Sequence, residues 1–287
     1  MNMRNLRIAI LVFFCVVAVL FTAAYVHERM TTDYNAPYIT ADTDTLRIPV
    51  SATEEDLLAG MTAFDNLDGD VTDTLVVVSK TKFIGKGILR VNYAAFDENK
   101  NVGTYSREVT YTDYVHPHFR MDAPLRFASG GSTPDYLEHI TAEDCLDGDI
   151  TGQIKTTTGR SVVVSDTVTH QQINLQVTNS GGDSAVLELT VSREEFSTLN
   201  RPAPALREYI LYVNRGGRLN LRDNLTGIWA GGNVRSFADA GYDPETEVVI
   251  NDRAVNYAVP GVYRVTYQLF REDVEMGAAE LIVVVEE

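Results

Sequence analysis

The chain has 287 residues, of which 45% are hydrophobic and 22% are charged, and its formal net charge is −16. This composition is that of a globular protein and excludes a largely disordered chain. The negative charge argues against nucleic acid and against anionic lipid headgroups as partners, because both are bound by basic surfaces. An acidic surface is compatible with cations, with basic partners and with plain solubility.

The first predicted element is a membrane-spanning helix over residues 8–26 (IAILVFFCVVAVLFTAAYV), which carry no charge, no Pro and no Gly. A helix of this length spans about 30 Å, the thickness of a hydrocarbon core. Arg4 and Arg7 precede the run, and the positive-inside rule places residues 1–7 in the cytoplasm as a short stub. The sequence therefore predicts a single-pass protein of the cell membrane, with its bulk outside the cell.

The alternative interpretation of this segment is a cleaved signal peptide. Small residues at positions 22–24 (TAA) precede a candidate cleavage site before Tyr25. The apolar run is longer than the core of most signal peptides, which favours an uncleaved anchor.

The two cysteines predict no intrachain disulfide, since Cys15 lies in the apolar segment and Cys145 lies far along the chain. Extracellular domains without disulfides are held by packing alone or by packing together with bound ions. This property fits a bacterial surface protein better than a eukaryotic secreted one.

A repeated motif sets the predicted domain organisation. After a polar stalk at residues 27–35, the sequence TAFDNLDGDVT occurs at residues 62–72 and TAEDCLDGDIT at residues 141–151. The spacing of 79 residues is that of a small β-sandwich. We predict one domain at residues 36–114, a second at 119–195 and a divergent third at 206–287.

Alternating apolar residues predict the strands of each domain. In the first domain Leu89, Val91, Tyr93 and Ala95 share one face, and DENKN at residues 97–101 forms the next hairpin turn. The second domain repeats this plan with Ile173, Leu175 and Val177, followed by a turn over residues 179–183 (NSGGD). Both patterns indicate half-buried antiparallel strands.

The predicted third domain retains the alternating strand but not the acidic motif. Its sequence PGVYRVTY at residues 260–267 matches the strand that contains Tyr93. A Gly-rich stretch at residues 223–233, with the chain's single tryptophan, Trp229, stands in place of the acidic motif. The domain is therefore expected to share the fold and to differ in its loops.

The pattern T-A-x-D-x-L-D-G-D-[VI]-T, a Gly-led alternating strand and a D-x-N-x-N-V hairpin resemble the bacterial immunoglobulin-like (Ig-like) domains named after a pesticidal crystal protein. The resemblance covers residues 62–72, 87–93 and 97–102, the second domain less fully, and residues 260–267 of the third. It implies a seven-stranded or similar β-sandwich with a role in display, adhesion or spacing, and no enzyme activity. With the anchor, the predicted fold class is all-β, with three tandem Ig-like β-sandwich domains after one N-terminal transmembrane helix.

The acidic residues of the two motifs and of the first hairpin are candidate calcium ligands. A hard cation prefers several carboxylate oxygens, and acidic residues on a tight glycine turn can bring them together. The alternative is that these side chains shape the turns through hydrogen bonds to the backbone. The candidates are Asp65, Asp68, Asp70 and Asp97 in the first domain and Asp144, Asp147 and Asp149 in the second.

Two further features of the sequence are candidate sites. His116 and His118 flank a proline, but two ligands do not make a metal site. Trp229 is a candidate partner-binding residue, as a platform for a sugar ring or a protein, and its alternative place is the core. The sequence contains no zinc-protease, nucleophile-elbow or phosphate-loop signature, so we predict no enzyme and no cofactor, with calcium as the one candidate ion.

These features predict a membrane-anchored extracellular protein of a bacterial cell surface that acts without catalysis. Its predicted role is adhesion or the binding of an extracellular protein or polysaccharide, with the membrane contacted through the N-terminal helix. The first alternative is a structural spacer or a subunit of a cell-envelope complex or homo-oligomer. The second is an accessory subunit of an envelope enzyme.

Overall fold

A computed structural model of the chain describes residues 3–31, 33–130 and 135–287. The chain divides into two compact units, Met1–Tyr114 and Val115–Glu287. One long N-terminal helix precedes a fold that is mostly β-sheet. The predicted combination of an apolar helix and β-sheet domains is therefore present.

Helix α1 spans Met3–Thr31, and within it the segment Leu6–Arg29 is long and apolar enough to cross a membrane. Its mean hydropathy is 2.8 and none of it is buried, which fits a membrane anchor or a signal sequence. The helix is longer than the predicted span of residues 8–26 and includes the first part of the predicted stalk. Its extension has a local cause, because residues 27–31 (HERMT) contain neither Gly nor Pro to end a helix.

The first unit contains two β-sheets and the short helix α2 (Glu54–Leu58). The three-stranded sheet has the order β1-β3-β4, and the four-stranded sheet has the order β2-β7-β6-β5, in which β2 and β7 are parallel. The strands are β1 (Tyr38–Ala41), β2 (Thr45–Ile48), β3 (Met61–Asp65), β4 (Gly69–Asp70), β5 (Val76–Lys80), β6 (Ile88–Phe96) and β7 (Val102–Tyr111).

The core of the first unit confirms the predicted alternation. Leu89, Val91, Tyr93 and Ala95 all lie on the buried face of β6. The Tyr93 hydroxyl donates a hydrogen bond of 2.9 Å to the carbonyl of Leu57, so the one polar atom of this buried ring is satisfied.

The second unit begins with two sheets of the same plan. Their orders are β11-β10-β8 and β12-β13-β14-β9, and β9 and β14 are parallel. The strands are β8 (His118–Met121), β9 (Arg126–Ala128), β10 (Ile140–Asp144), β11 (Gly148–Asp149), β12 (Lys155–Ser165), β13 (Val168–Thr178) and β14 (Ser184–Glu194). Ile173, Leu175 and Val177 are buried, as their alternation predicts.

The rest of the second unit forms another pair of sheets, with orders β15-β17-β18 and β16-β21-β20-β19. The Gly-rich stretch contains β17 and the turn into β18. Strand β17 is the central strand of its sheet, as β3 and β10 are in the preceding three-stranded sheets. The elements are α3 (Phe196–Leu199), β15 (Ala203–Leu206), β16 (Ile210–Asn214), β17 (Leu225–Ala230), β18 (Asn233–Arg235), α4 (Phe237–Ala240), β19 (Val248–Asn251), β20 (Gly261–Arg271) and β21 (Val274–Glu286).

Residues 196–205, between the predicted second and third domains, contain regular secondary structure. They contain α3 and most of strand β15, whose four residues are all buried. Strand β15 lies at the edge of its sheet. Proline has no N–H to donate, and an edge strand tolerates Pro204 because one of its sides has no neighbouring strand. The predicted start of the third domain, residue 206, is the last residue of β15, and the bounds of that domain stay a prediction.

The sheets of the second unit share one continuous hydrophobic core. The Tyr209 amide donates to the Met121 carbonyl at 2.8 Å, and the Phe119 amide donates to the Tyr212 hydroxyl at 2.8 Å. The two sheet pairs of this unit are thus packed and hydrogen-bonded to each other. The count of three domains stays a prediction from the sequence repeat.

We expect Tyr93→Phe to lower the free energy of unfolding of the first unit by about 1 to 3 kcal/mol, because it leaves the buried Leu57 carbonyl without its donor. Urea denaturation followed by far-ultraviolet circular dichroism measures the change. The control is Tyr38→Phe, which removes a hydroxyl from a side chain that is 61% exposed and should change stability by less than about 0.5 kcal/mol. Equal losses in the two variants would contradict the interpretation.

Candidate functional sites

The first Asp-Gly-Asp turn is organised by Asp65, which ends β3 and is 1% exposed. Its Oδ1 accepts hydrogen bonds from the amides of Asp68 (3.0 Å) and Leu67 (2.8 Å), and these bonds lower the pKa of Asp65. Gly69 has a φ of +77°, a conformation that favours glycine. The turn therefore keeps a buried, ionised carboxylate at its base.

Asp68 and Asp70 shape the loop rather than join Asp65. Asp68 accepts the amide of Glu98 at its Oδ2 (2.8 Å). Asp70 accepts the amide of Thr72 at its Oδ1 (3.0 Å), and hydrogen bonds from Thr72 lower the pKa of Asp70. At these two positions the geometry agrees with the turn-shaping interpretation.

Three buried carboxylates meet in the first unit. Asp33, Asp65 and Asp97 are 6%, 1% and 7% exposed, and one carboxylate oxygen of each lies within 4.8 Å of the others. Asp97 follows β6 and begins the predicted hairpin turn, whereas Asp33 lies in the predicted stalk. We call these three residues the carboxylate cluster. The sequence identified Asp65 and Asp97 as candidates but not Asp33, because Asp33 lies outside the repeat.

Protein donors satisfy only part of the carboxylate cluster. Asp33 Oδ1 accepts from the amide and side chain of Asn35, at 2.9 and 3.0 Å. Asp97 accepts from the amide and side chain of Asn101, at 2.7 and 2.6 Å. The Oδ2 atoms of Asp33 and Asp65 are buried without a hydrogen-bond partner. Buried like charges at this distance disfavour one another unless a positive charge joins them.

The second copy of the motif has different chemistry at the same place. Asp144 Oδ2 accepts the amides of Leu146 (2.8 Å) and Asp147 (3.2 Å). Asn179 occupies the hairpin position of Asp97, and its side chain donates to Asp144 Oδ1 at 3.0 Å. Both oxygens of Asp144 therefore have protein partners.

The other candidates of the second copy shape their loop as Asp68 and Asp70 do. Asp147 accepts the amide and the hydroxyl of Ser180, both at 2.6 Å. Asp149 accepts the amide of Thr151 at 2.9 Å. Within the described ranges, this copy gathers no group of three metal-ligating side chains.

The histidine pair acquires a third member in the structure. The Nε2 atoms of His116 and His118 lie 2.6 and 2.7 Å from the same oxygen, Oε1 of Glu286. Burial raises the pKa of Glu286, but hydrogen bonds from His116 and His118 outweigh burial and lower the pKa to about 2. The His118 ring also stacks on Tyr212, with 3.9 Å between ring centroids. These contacts join the first strand of the second unit to its last.

A cleft of about 650 Å³ opens in the second unit and is lined partly by Trp229. On its wall Arg126 binds Glu194 through two hydrogen bonds, of 2.8 and 2.6 Å, and Ser192 donates to Glu194 at 2.8 Å. Burial raises the pKa of Glu194, but hydrogen bonds from Arg126 and Ser192 outweigh it and lower the pKa. Trp229 is half-buried and also lines an adjoining depression of about 270 Å³.

The sequence proposed Trp229 but did not indicate the cleft around it. The cleft also contains Arg201, Arg264 and Met276, which come from separate strands and loops. No local pattern connects these positions, since they meet only through the packing of the sheets.

The sequence matches no protein-family model and no curated protein. Among solved structures, it is similar to the GlcNAc-bound CBM51-2 and INT domains of Clostridium perfringens ZmpB, with 18% identity over 50% of this chain and a TM-score of 0.23. It is also similar to surface layer protein SbsC, domains 4–9, with 12% identity over 86% of this chain and 49% of that one, and a TM-score of 0.19.

Mouse protocadherin-24 EC1-3 is a further similar structure, with 9% identity, 86% of this chain and 98% of that chain covered, and a TM-score of 0.20. The chain spans 30% of the length of each of the two ZmpB structures that it matches. TM-scores this low do not establish a shared arrangement of domains.

The lowered pKa of Glu286 predicts a loss of stability in acid. A carboxyl group whose pKa falls on folding stabilises the native state at pH values above its ordinary pKa of 4.5, and this contribution disappears as the pH falls toward about 2. We expect the wild type to exceed Glu286→Gln in stability at pH 7 and to lose that advantage between pH 4.5 and about 2.

Urea denaturation at pH 7 and at low pH, followed by Trp229 fluorescence, measures this difference within the second unit. Glu280→Gln is the control, because Glu280 is an exposed partner of Arg264 and should show little pH-dependent difference. If the wild type exceeded Glu286→Gln in free energy of unfolding by the same amount at both pH values, this explanation would be wrong.

Proposed function

We propose that the chain is a single-pass, membrane-anchored protein of a bacterial cell surface that binds an extracellular ligand through Ig-like β-sandwich domains and catalyses no reaction. The six sheets support three tandem domains of the pesticidal crystal protein type. Each successive stretch of chain contributes one three-stranded and one four-stranded sheet, and one strand pair of every four-stranded sheet is parallel. Such repetition of a complete plan is what a tandem array predicts.

The proposed orientation places the β-sheet units outside the cell. Helix α1 provides the apolar span, and Arg4 and Arg7 precede it in the sequence. Positive residues before the span favour a cytoplasmic N-terminus.

The single observation that carries the binding function is the cleft around Trp229. Ligand sites are concave, with apolar and aromatic walls and a few fixed polar groups. Here the indole ring provides an apolar surface, and the Arg126–Glu194 pair is fixed by two mutual hydrogen bonds. A saccharide fits this combination, because its C–H faces pack on an aromatic ring while its hydroxyl groups bond to planar charged groups.

The net charge indicates which saccharides to expect. With a formal charge of −16, the chain repels polyanions at long range. We therefore propose a neutral extracellular glycan as the ligand, and a protein partner as the alternative.

The carboxylates of the cleft support binding rather than hydrolysis. Glu194 is engaged by Arg126, Glu280 by Arg264 at 3.1 Å, and Glu275 by the side chain of Gln268 at 3.1 Å. Glycoside hydrolysis needs one carboxyl group that donates a proton and a second that acts as base or nucleophile. The lowered pKa of Glu194 makes this carboxyl group poorly suited to the role of proton donor.

A second candidate function is a structural subunit of a cell-envelope assembly, and strand β12 favours it. This strand is eleven residues long, lies at the edge of its sheet and is exposed along its entire length. Val162, Val163 and Val164 are 46%, 74% and 57% exposed. An exposed edge strand with an apolar run of this kind is a template for pairing with another strand.

Intrinsic fluorescence tests the binding proposal directly, because Trp229 is the only tryptophan of the chain. Titration of the full chain in detergent with neutral oligosaccharides should shift the emission in a saturable way, whereas acidic oligosaccharides should bind more weakly. Calorimetry should show that Trp229→Ala weakens binding by about tenfold or more, the usual effect of losing an aromatic contact.

The matched control is Tyr34→Ala, which removes an aromatic ring that is 75% exposed in the first unit and should leave affinity unchanged. The proposal fails if no glycan gives a saturable signal, or if Trp229→Ala and Tyr34→Ala bind equally well.

The assembly candidate makes a separate prediction. If β12 pairs between copies, the full chain self-associates at micromolar concentration and Val163→Lys reduces the association, because a charge on an edge strand opposes pairing. Sedimentation velocity measures the degree of association of the wild type and of Val163→Lys. Val249→Lys, at a 48% exposed valine of another edge strand, is the control. A monomeric wild type would remove this candidate.

A further inference from the structure

The carboxylate cluster has the dimensions of a cation site. One oxygen each of Asp33, Asp65 and Asp97 lies within 4.8 Å of the other two. Oxygen ligands lie about 2.3 to 2.6 Å from a calcium ion, so two ligands of one ion are at most about 5 Å apart. One ion can therefore contact all three side chains without a change in the course of the backbone.

The orphaned oxygens supply an independent reason for a cation. The Oδ2 atoms of Asp33 and Asp65 are buried without a hydrogen-bond partner, in side chains that are more than nine-tenths buried. A buried carboxylate oxygen without a partner is unfavourable, because it has lost its water and gained nothing in return. A cation bound among these carboxylates supplies the kind of partner that such oxygens lack.

A single shared proton neutralises one of the three carboxylates, whereas a calcium ion neutralises two. Backbone amides of Asp68 and Leu67 donate to Asp65, and donors of this kind stabilise the ionised form. Asn101 donates both its amide and its side chain to Asp97. Asp65 is thus held as a carboxylate by its surroundings.

We infer that Asp33, Asp65 and Asp97 bind one calcium ion, which ties the segment after α1 to the first pair of β-sheets. The ligands are all oxygen atoms of hard carboxylates, and neither sulfur nor imidazole is present in the cluster. This set of donors suits calcium rather than zinc or copper. Asn101 is a positioning residue, since its side chain donates to Asp97 and also to the Asp33 carbonyl at 3.0 Å.

The chain thus binds one ion and not one at each motif. In the second copy Asn179 replaces the hairpin carboxylate and donates to Asp144, which fills the position that the ion takes in the first copy. The amide of Asn179 performs there, without charge, the task that calcium performs beside Asp65. The two copies thus provide a site and its internal control within one molecule.

The ion connects three parts of the chain. Asp33 precedes the first strand, Asp65 ends β3 and Asp97 follows β6. Binding a ligand that only the native arrangement assembles stabilises that arrangement by mass action. Calcium at extracellular concentrations therefore stabilises the contact of Asp33 with Asp65 and Asp97. This inference does not depend on the cleft around Trp229 and can fail or hold independently of it.

The test is equilibrium dialysis of the full chain in detergent with radioactive calcium, after removal of bound metal with chelator. We expect one calcium ion per chain, with a dissociation constant of about 1 mM or below, as in extracellular calcium modules. Magnesium should compete poorly, because it requires a tighter octahedral set of ligands.

Asp33→Asn and Asp65→Asn should each weaken calcium binding at least tenfold. Asparagine keeps the carbonyl oxygen that accepts the backbone amides of Asn35 or of Leu67 and Asp68, so these variants retain their local hydrogen bonds. Asp144→Asn is the matched control and should leave the affinity and the stoichiometry unchanged.

A second measurement keeps the inference testable whatever the variants do to folding. In chelator, Asp33→Asn should unfold at a higher temperature than the wild type, because one of three repelling charges is gone. In calcium the order should reverse.

Three results would overturn the inference. The first is no calcium binding by the wild type up to about 10 mM, well above the weakest extracellular modules. The second is a stoichiometry of two ions per chain with one lost in Asp144→Asn, which would assign calcium to the motif in general. The third is unchanged affinity in Asp33→Asn.

Discussion

The interaction on which each repeated loop depends is the buried carboxylate at the end of the strand before the Asp-Gly-Asp turn. Asp65 and Asp144 each accept two backbone amides of the turn that follows, and so fix its path. Each turn also places a second carboxylate against the neighbouring hairpin. Asp68 accepts the amide of Glu98, and Asp147 accepts the amide of Ser180. One desolvated charge at the base of the loop thereby organises two loops at the same end of the sheets.

The two copies differ in the residues that face the buried carboxylates of Asp65 and Asp144. Asp97 adds a second negative charge and Asp33 a third, whereas Asn179 supplies a neutral donor. The backbone arrangement is shared, since residues 97–101 and 179–183 make the same turn hydrogen bonds. The amide of Asn179 therefore satisfies Asp144 in the second copy, whereas in the first copy Asp97 and Asp33 place further carboxylates beside Asp65, without any change of fold.

In the second unit, the cleft around Trp229 depends on how the sheets pack against one another. The sheets of this unit share one core, and Tyr209, Tyr212 and Glu286 bond across it. The cleft around Trp229 exists because these sheets are packed in a fixed relation, and its charged groups are held by one another instead of by solvent. Rigid walls of this kind reduce the ordering that a ligand must impose, which suits a binding site.

The sequence by itself determined the apolar helix, the alternating strands and the turns, because each depends on residues within a few positions of one another. The burial of Leu89, Val91 and Tyr93 follows from a period of two, and the turn at residues 97–101 follows from its Asp and Asn residues. The extent of α1 and the first strand of the last sheets were missed, since a weak helix end and a buried Ala-Pro strand have no strong local signal.

Only the tertiary structure decided which candidate residues meet. It joined Asp33 to Asp65 and Asp97, joined Glu286 to two histidines about 170 residues earlier, and surrounded Trp229 with a cleft. These contacts depend on sheet order and register, which bring together residues that no short-range pattern relates. The repeat made the two acidic motifs look equivalent, and a neighbour outside the motif made them chemically different.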